Sequence, residues 1–148
     1  MSRIRRILHP SDFSRASGAA FSRAVDLARA NKAELLLAHV LTPTVPVIGD
    51  GYVSPKIYED LAASARDYGK KNLGGLVAKA AKKGVRAKSL LLEGVPHEQI
   101  VRAARRQRSD LVVMGTQGRT GLAKLFLGSV AGRVVATCAC PVMTVRGR

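Results

Sequence analysis

The sequence is poor in cysteine and aromatic residues and lacks long hydrophobic runs, and each absence excludes a class of protein. Its two cysteines, Cys138 and Cys140, are one residue apart, a spacing that rarely has disulfide geometry and offers too few ligands for zinc. We therefore expect both to be small buried packing residues. No apolar run approaches the roughly 20 residues of a membrane-spanning helix, and the basic start lacks the cleavage site of a secretion signal. We expect a soluble cytoplasmic protein without membrane association.

Acidic residues are also scarce. The chain has 25 Lys and Arg against 10 Asp and Glu, a net charge of +15, and the basic residues cluster at 3–6, 70–71, 79–88 and 102–108. Such a charge favours polyanions as partners, although a solvated outer helix face is the favoured explanation for the last two clusters. Helix-turn-helix, zinc-finger and RNP-like motifs are missing and only 4% of residues are aromatic, so a nucleic-acid surface stays open without being favoured.

Five short aliphatic and β-branched runs alternate with segments of helical periodicity. They cover residues 6–9, 34–41, 87–93, 110–115 and 142–146. This alternation predicts a parallel sheet with right-handed crossovers and helices on both faces. The 148 residues suffice for one domain with a proper core, so we expect a single α/β domain over residues 1–148.

The helices have recognisable ends and apolar stripes. Ser14 is expected to cap the first helix, and Ser54 with Pro55 to begin the second. Gly69 and the pair at 74–75 predict a kink or break in the second, since each costs about 1 kcal/mol relative to Ala, and Gly84 is expected to end it. The predicted core-facing residues are Ile57, Leu61, Ala65, Tyr68, Leu76 and Val77 in the second helix, Ile100, Val101 and Ala104 in the third, which Pro96 opens, and Val130, Val134 and Val135 in the fourth.

Two loops have the composition of a ligand site. One carries PSDFS at 10–14 after the first strand, and the other carries MGTQGRTGLAKLFLGSV at 114–130 after the fourth. Glycines let the backbone approach a ligand closely, and a helix start attracts a phosphate. If these strands are neighbours at the switch point of the sheet, Asp12 faces the glycine loop, where it would contact a ribose or base or hold a phosphate-bound metal. His39 is expected to be a core histidine, and His9 to touch the ligand or to pack.

Three known motifs do not fit the glycine loop. A P-loop needs Lys before its Ser or Thr, whereas Leu127 precedes the Gly128-Ser129 pair. The dinucleotide fingerprint should follow an early strand rather than the fourth. The GSVAG sequence at 128–132 places its serine one position too early for a nucleophile elbow.

Another pattern does fit. The spacing G-x2-G-x9-G-S from Gly115 to Ser129, with ILHPSDFS at 7–14, LLAHV at 36–40, GVPHEQI at 94–100, SDLVVMGT at 109–116 and CPVMTVR at 140–146, closely resembles the universal stress proteins. The resemblance covers essentially the whole chain and points to the ATP-binding branch of that family. It implies the strand order 3-2-1-4-5, which would make strands one and four neighbours.

The resemblance also implies a ligand set. Asp12 would contact the ribose or adenine side, and the backbone of Val40 would meet adenine. The glycines of the motif, Ser129 and Val130 would surround the ribose and phosphates, while Arg119 and Lys124 are additional phosphate candidates that the family motif does not specify. The predicted nucleotide-binding residues are Pro10, Ser11, Asp12, Val40, Met114, Gly115, Gly118, Arg119, Gly128, Ser129 and Val130. Asp12 is also the candidate ligand for Mg²⁺, through the nucleotide phosphates.

The function implied is that of a cytoplasmic stress-response or signalling protein that binds ATP, or AMP or ADP. Two alternatives stay open, a slow ATPase and a polyanion-binding module that uses the basic surface. No catalytic residue is identifiable, because phosphoryl transfer needs a positioned acceptor and charge clamps. The final strand would be an apolar sheet edge, which usually needs a cover or partner, and the resemblance implies a homodimer through it.

Overall fold

The computed structural model describes residues 3–43, 54–116 and 127–147. The strands are β1 Arg6–Pro10, β2 Glu34–Leu41, β3 Ala87–Glu93, β4 Leu111–Gly115 and β5 Val142–Val145, and the helices are α1 Ser17–Asn31, α2 Pro55–Lys82, α3 Pro96–Arg106 and α4 Ser129–Thr137. Strands and helices alternate as predicted. No helix in the described ranges is both long enough and apolar enough to cross a lipid bilayer.

The five strands form one parallel sheet in the order β3-β2-β1-β4-β5. This confirms the predicted α/β class and the strand order that the sequence resemblance implied. The chain adds strands outward from β1 to β3 and then returns to the other side of β1. The order therefore reverses between β1 and β4, where open α/β sheets bind ligands.

The sheet separates two apolar layers. Because successive side chains of a strand point to opposite faces, Ile7 packs toward α1 and α2 while Leu8 packs toward α3 and α4. Both are fully buried, and so are Val112 and Val113 of β4. Burial on both faces explains why these strands are continuous apolar runs in the sequence.

Two helix ends agree with the sequence and one differs. The Ser54 hydroxyl accepts a hydrogen bond from the Ile57 N–H at 3.3 Å, and Gly84, with φ +80°, follows the end of α2. Ser14, however, is not the N-cap of α1, because Ala16 occupies that position. The Ser14 hydroxyl instead accepts from the Ser17 N–H at 3.2 Å, in a turn that precedes the helix.

Helix α2 continues from Pro55 to Lys82, so the predicted break at its glycines does not occur. Gly69 is buried, and a Cβ there would lie 2.8 Å from Leu91 Cδ1 and 3.3 Å from His39 Cδ2. The missing side chain lets the helix approach β2 and β3 closely, which offsets the low helix propensity of glycine.

The first half of α2 does not face the core as predicted. Ile57, Leu61 and Tyr68 are 46%, 52% and 50% exposed, and Ala65 is exposed as well, while Leu76 and Val77 are half-buried. The reason is length: the 28 residues of α2 span about 42 Å, whereas the 7 residues of β3 span about 23 Å. The helix therefore extends past the sheet.

Three smaller predictions about burial also need correction. Val101 is half-buried and Val135 is 47% exposed, because the core-facing residues of these helices include Ala103 and Ala131 instead. Cys138 and Cys140 do pack against the core, but they are only partly buried, with their free thiol sulfurs 3.5 Å apart. The pKa of the Cys140 thiol is raised to about 12, mainly by burial and secondly by the contact with the Cys138 thiol.

The switch point depends on a buried histidine. Strands β1 and β4 pair only at Ile7 with Leu111 and Leu8 with Val112, and beyond them His9 Nδ1 lies 2.8 Å from the Val113 carbonyl oxygen. Because a carbonyl only accepts, Nδ1 carries the proton. Nε2 is then an acceptor, and it is buried without a hydrogen-bond partner in the described chain. Burial lowers the pKa of His9 to about 4, so the ring is neutral at pH 7.

We predict that His9 makes stability depend on pH. Its folded pKa of about 4 lies below its ordinary value of 6.5, so the unfolded chain takes up the proton first as pH falls. The stabilisation is complete above pH 6.5 and is lost as pH falls toward 4, by about 3 kcal/mol. Urea unfolding from pH 7 to 4 should show a shallower loss in His9→Gln than in the wild type. The control His97→Gln keeps His9 and should keep the wild-type slope; identical slopes in all three proteins would contradict this account.

We also predict opposite effects for two glycines of α2. Gly75→Ala should raise the free energy of unfolding by about 1 kcal/mol, because no atom beyond its chain neighbours and the adjacent helix backbone lies within 4 Å of the added Cβ and alanine favours the helix. Gly69→Ala should be at least about 1 kcal/mol less favourable than Gly75→Ala because of its contacts with Leu91 and His39. Urea unfolding measures both, and equal gains would show that Gly69 is not required for close packing.

Candidate functional site

After Leu8, the last part of β1 and the loop that follows it stay beside β2 rather than β4. The Ser11 N–H donates to the Ala38 carbonyl at 2.8 Å, and His39 Nδ1 lies 2.8 Å from the Ser11 carbonyl oxygen. That carbonyl can only accept, so His39 Nδ1 donates. These two bonds hold the β1 loop on the β2 side and leave a crevice toward β4.

Short-range hydrogen bonds shape the loop itself. Asp12 Oδ1 accepts from the Ser14 N–H at 2.9 Å, and the Ser11 hydroxyl accepts from the Phe13 N–H at 3.0 Å. The Ser17 hydroxyl donates to the Ser14 carbonyl at 2.8 Å, so the Ser11 hydroxyl is the donor in its 3.3 Å contact with Ser17. Phe13 has a φ of +63°, which turns the chain sharply after Asp12. The turn places Asp12 at the crevice.

The other wall of the crevice is formed by the end of β4 and the start of α4. The Thr116 N–H donates to the Val145 carbonyl at 3.0 Å, and the Gly128 N–H donates to the Thr116 carbonyl at 2.6 Å. Gly128 is the N-cap of α4 and supplies no side-chain hydrogen bond. The first N–H groups of a helix have no partner within the helix and carry the positive end of its dipole, so this wall suits an anion.

Between the two walls lies a cavity of about 600 Å³. Its lining comes from the carboxyl ends of β1, β2 and β4, the starts of α1, α3 and α4, and the middle of α2. The residues are Pro10, Ser11, Asp12, Ser17, His39, Val40, Leu41, Thr42, Ala65, Tyr68, Pro96, Ile100, Met114, Gly115, Thr116, Gly128, Ser129, Val130 and Ala131. The volume falls within the range of about 300–1,000 Å³ that is usual for small-molecule sites.

Most of the predicted site residues meet at this cavity. Nine of them line it, namely Pro10, Ser11, Asp12, Val40, Met114, Gly115, Gly128, Ser129 and Val130. The remaining two, Gly118 and Arg119, and the extra candidate Lys124 lie outside the described residues. The sequence-based choice of the two loops therefore identified residues that fold around one cavity.

One wall of the cavity was not anticipated. Phe13 stacks on the His39 ring with centroids 4.2 Å apart and meets Tyr68 edge-on at 5.8 Å. His39 and Tyr68 both line the cavity, so His39 is not simply a core histidine. His9, by contrast, is fully buried and packs near Phe21, with ring centroids 5.9 Å apart. The apolar stripe of α2 was the only sequence signal for Tyr68, and it indicated core packing.

The charges around the cavity are few. Among the lining residues that the structure describes, Asp12 is the acidic one and none is Lys or Arg. The same described ranges contain no group of three or more His, Cys, Asp or Glu side chains that could hold a metal ion. On this wall, attraction for an anion comes from the α4 N-terminus and its backbone N–H groups.

Comparison with known proteins agrees with the fold and the sequence motifs. The model of the universal stress protein family matches residues 3–146. A universal stress protein of Methanocaldococcus jannaschii is 34% identical over 96% of this chain and 82% of its own length. One of Bacillus subtilis is 33% identical over 95% of this chain and 98% of its own.

A solved structure extends the comparison to three dimensions. A universal stress protein family member from Arabidopsis thaliana, with AMP bound, superposes with a TM-score of 0.69 at 24% identity, covering 97% of this chain and 92% of its own. At that identity the likeness shows the shared fold. The family model and the two relatives, which match nearly the whole chain, show that this protein belongs to the universal stress protein family.

Proposed function

We propose that the cavity between β1 and β4 binds an adenine nucleotide, ATP in particular, and that occupancy regulates a stress-response or signalling role in the cytoplasm. The observation that carries this proposal is the meeting of Asp12 and the α4 N-terminus at one cavity of about 600 Å³. One wall offers a carboxylate acceptor, and the opposite wall offers backbone donors. A nucleotide has the complementary groups, ribose hydroxyls at one position and phosphates at the other.

The phosphates would lie against the start of α4. Gly128 lacks a side chain and so permits close approach, while the exposed hydroxyl of Ser129 and the N–H of Val130 would donate to phosphate oxygens. The resemblance also implies Gly118 around the ribose and phosphates, while Arg119 and Lys124 are additional phosphate candidates that the family motif does not specify. All three lie outside the described residues and stay predictions from the sequence.

The adenosine part would occupy the β1 and β2 side. Val40, Ile100 and Met114 supply apolar lining, which suits the faces of a purine. Asp12 is positioned by the Ser14 N–H so that its carboxylate can accept from a ribose hydroxyl. The Val40 backbone, at the carboxyl end of β2, would form the base contact, and His39 and Tyr68 would close that side with aromatic surface.

Other members of the fold support an adenine ligand. Universal stress proteins crystallised in complex with cAMP and with dAMP share this fold at 23% and 22% identity, and the Arabidopsis thaliana protein holds AMP. Those ligands belong to those proteins. For this chain, the support lies in the residues that line its own cavity.

Mg²⁺ would accompany ATP rather than bind alone. Asp12 is a single carboxylate, and Mg²⁺ is usually bound by one or two carboxylates together with substrate phosphates and water. As the alternative to its ribose contact, Asp12 would contribute to a Mg²⁺ site that the nucleotide phosphates complete. The ion would neutralise phosphate charge next to the carboxylate.

We predict adenine-selective binding that depends on the cavity. Calorimetric titration should give a dissociation constant for ATP at least about 10-fold lower than for GTP, a difference of about 1.4 kcal/mol in binding free energy. This preference should persist at roughly 0.5 M salt, because charges in a pocket are screened less than charges on a surface. Ala65→Trp, on the cavity side of α2, should weaken ATP binding at least about 10-fold by filling the cavity. Ala62→Trp, exposed on the same helix outside the lining, should leave it unchanged. Equal affinity for ATP and GTP, or equal effects of the two tryptophans, would contradict the proposal.

We further propose a homodimer through β5. This strand forms one edge of the sheet, and Met143 on it is 36% exposed. Val135 on the neighbouring α4 is 47% exposed and would extend the apolar contact. An edge strand with apolar side chains usually requires a cover, and a second copy of β5 would provide one.

The dimer can be tested by placing a charge on each edge of the sheet. Met143→Lys should convert a dimer into a monomer in sedimentation velocity at micromolar concentration, because two like charges would face each other across the two-fold axis. Ser89→Lys places the same charge on the opposite edge strand, β3, where Ser89 is exposed, and should leave the dimer intact. A monomeric wild type, or dissociation of both variants alike, would overturn the proposed interface.

A further inference from the structure

The basic residues are not spread evenly over the fold. In this topology α1, α2 and α3 all finish at the end of the molecule where the strands begin, which is opposite the cavity. Their last turns and the residues that follow carry Arg29 and Lys32, Lys82 and Lys83, and Arg105 and Arg106. All six side chains are exposed. Three helix ends that are far apart in the sequence therefore place their basic residues at one end of the molecule.

The strand starts add to the same surface. Arg3, Arg5 and Arg6 precede or begin β1, and Arg86 and Lys88 flank the start of β3, all of them exposed. Backbone hydrogen bonds connect these segments, from Glu34 to the Arg5 carbonyl at 2.8 Å and from Leu35 to the Arg86 carbonyl at 2.9 Å. We call this end of the molecule, made of the three helix ends and the strand starts, the basic pole.

Two acidic side chains at the basic pole, Glu34 and Asp110, are already engaged, and a third, Asp26, lines a groove with Lys79, Lys82 and Lys83. Glu34 lies between Arg6 and Lys88, at 3.7 Å and 3.5 Å, and one oxygen of Asp110 accepts from the backbone N–H groups of Arg5 and Arg6 at 2.8 Å and 3.0 Å. Two of the basic side chains thus share one carboxylate. The helix dipoles offset only about half a charge at each helix end, so a large positive excess faces the solvent.

The surroundings of the basic pole favour one class of polyanion. The large apolar side chains that are exposed in the described chain lie on the first half of α2, just before α3 and α4, on α4 and on β5, not on the three basic helix ends. Insertion into a membrane interface uses such apolar groups, so their position away from the basic helix ends argues against a membrane as the partner. Of the described aromatic rings, Phe21 is the one near the basic pole; it is half-buried in a groove with Lys79, Lys82 and Lys83. Because stacking on single-stranded bases needs an open ring face, this half-buried ring argues against a single strand as the partner.

We propose that the basic pole binds double-stranded nucleic acid through its phosphate backbone, without reading the base sequence. The basic pole extends across the sheet from β3 to β4, a width of about 15 Å at roughly 5 Å per strand. A duplex carries one negative charge about every 1.7 Å along its axis. The surface therefore faces several phosphates at once. It lies at the opposite end of the sheet from the cavity, so a duplex and a nucleotide bind simultaneously, and this inference does not depend on the proposed function.

The test compares two triple variants of equal net charge. Arg29→Gln, Lys82→Gln and Arg105→Gln together remove one charge from each basic helix end. Lys56→Gln, Arg66→Gln and Lys70→Gln together remove three exposed charges from the first half and middle of α2, outside the cavity lining. Binding is measured at several salt concentrations by the fluorescence anisotropy of a labelled DNA duplex of mixed sequence, roughly 20 base pairs long. Circular dichroism verifies that both variants are folded.

The basic-pole variant should bind the duplex at least about 10-fold more weakly than the wild type, and its slope of log K against log salt should fall by about 2 to 3 if each lost side chain contacted one phosphate. The α2 variant should change the dissociation constant less than about 3-fold, and saturating AMP should not alter either result. Equal losses in the two variants would show that net charge alone drives binding and would overturn the proposal. Tighter binding to the single strand, or to vesicles of anionic lipid that the duplex does not displace, would overturn the choice of duplex.

Discussion

The candidate site exists because β1 and β4 separate after only two paired residues. Leu8 and Val112 are the last partners, and beyond them His9 reaches across with its side chain to the Val113 carbonyl. The backbone after β1 turns instead to β2 through the Ser11 N–H. A parallel sheet that stayed paired to its end would leave no crevice. The buried imidazole thus joins the two strands at the point where they diverge.

That divergence also explains why the walls of the cavity differ chemically. The β1 side ends in a tight loop whose hydrogen bonds are mostly internal, and it presents the Asp12 carboxylate. The β4 side leads to a helix whose N-cap, Gly128, provides no side-chain bond. One wall accepts hydrogen bonds and the other donates them. A ligand with hydroxyls and phosphates on one frame fits both walls, and this complementarity supports holding a nucleotide more directly than it supports cleaving one.

The direction of the helices gives the molecule two chemically different ends. Helices α1, α3 and α4 start at the cavity, α2 passes it with its middle, and the helices run from there toward the opposite end of the sheet. The helix start of α4 attracts phosphate within a pocket, whereas the finishing turns of α1, α2 and α3 carry exposed Lys and Arg. The exposed Lys and Arg of the basic pole therefore lie away from the proposed nucleotide site. The two ends suit anions of very different size, one enclosed and the other extended.

The sequence by itself determined the elements and their class, because a strand buried on both faces must be a continuous apolar run and a crossover helix must separate parallel strands. It also identified both loops of the site, since Gly128 and Asp12 are informative residue types at the ends of strands. Only the tertiary structure decided which apolar stripe is core. The exposure of Leu61 and Tyr68 follows from a helix longer than its sheet, and Gly69 is tolerated mid-helix because Leu91 and His39 occupy its missing side chain's space. Both depend on neighbours far away in the chain, and local periodicity carries no information about them.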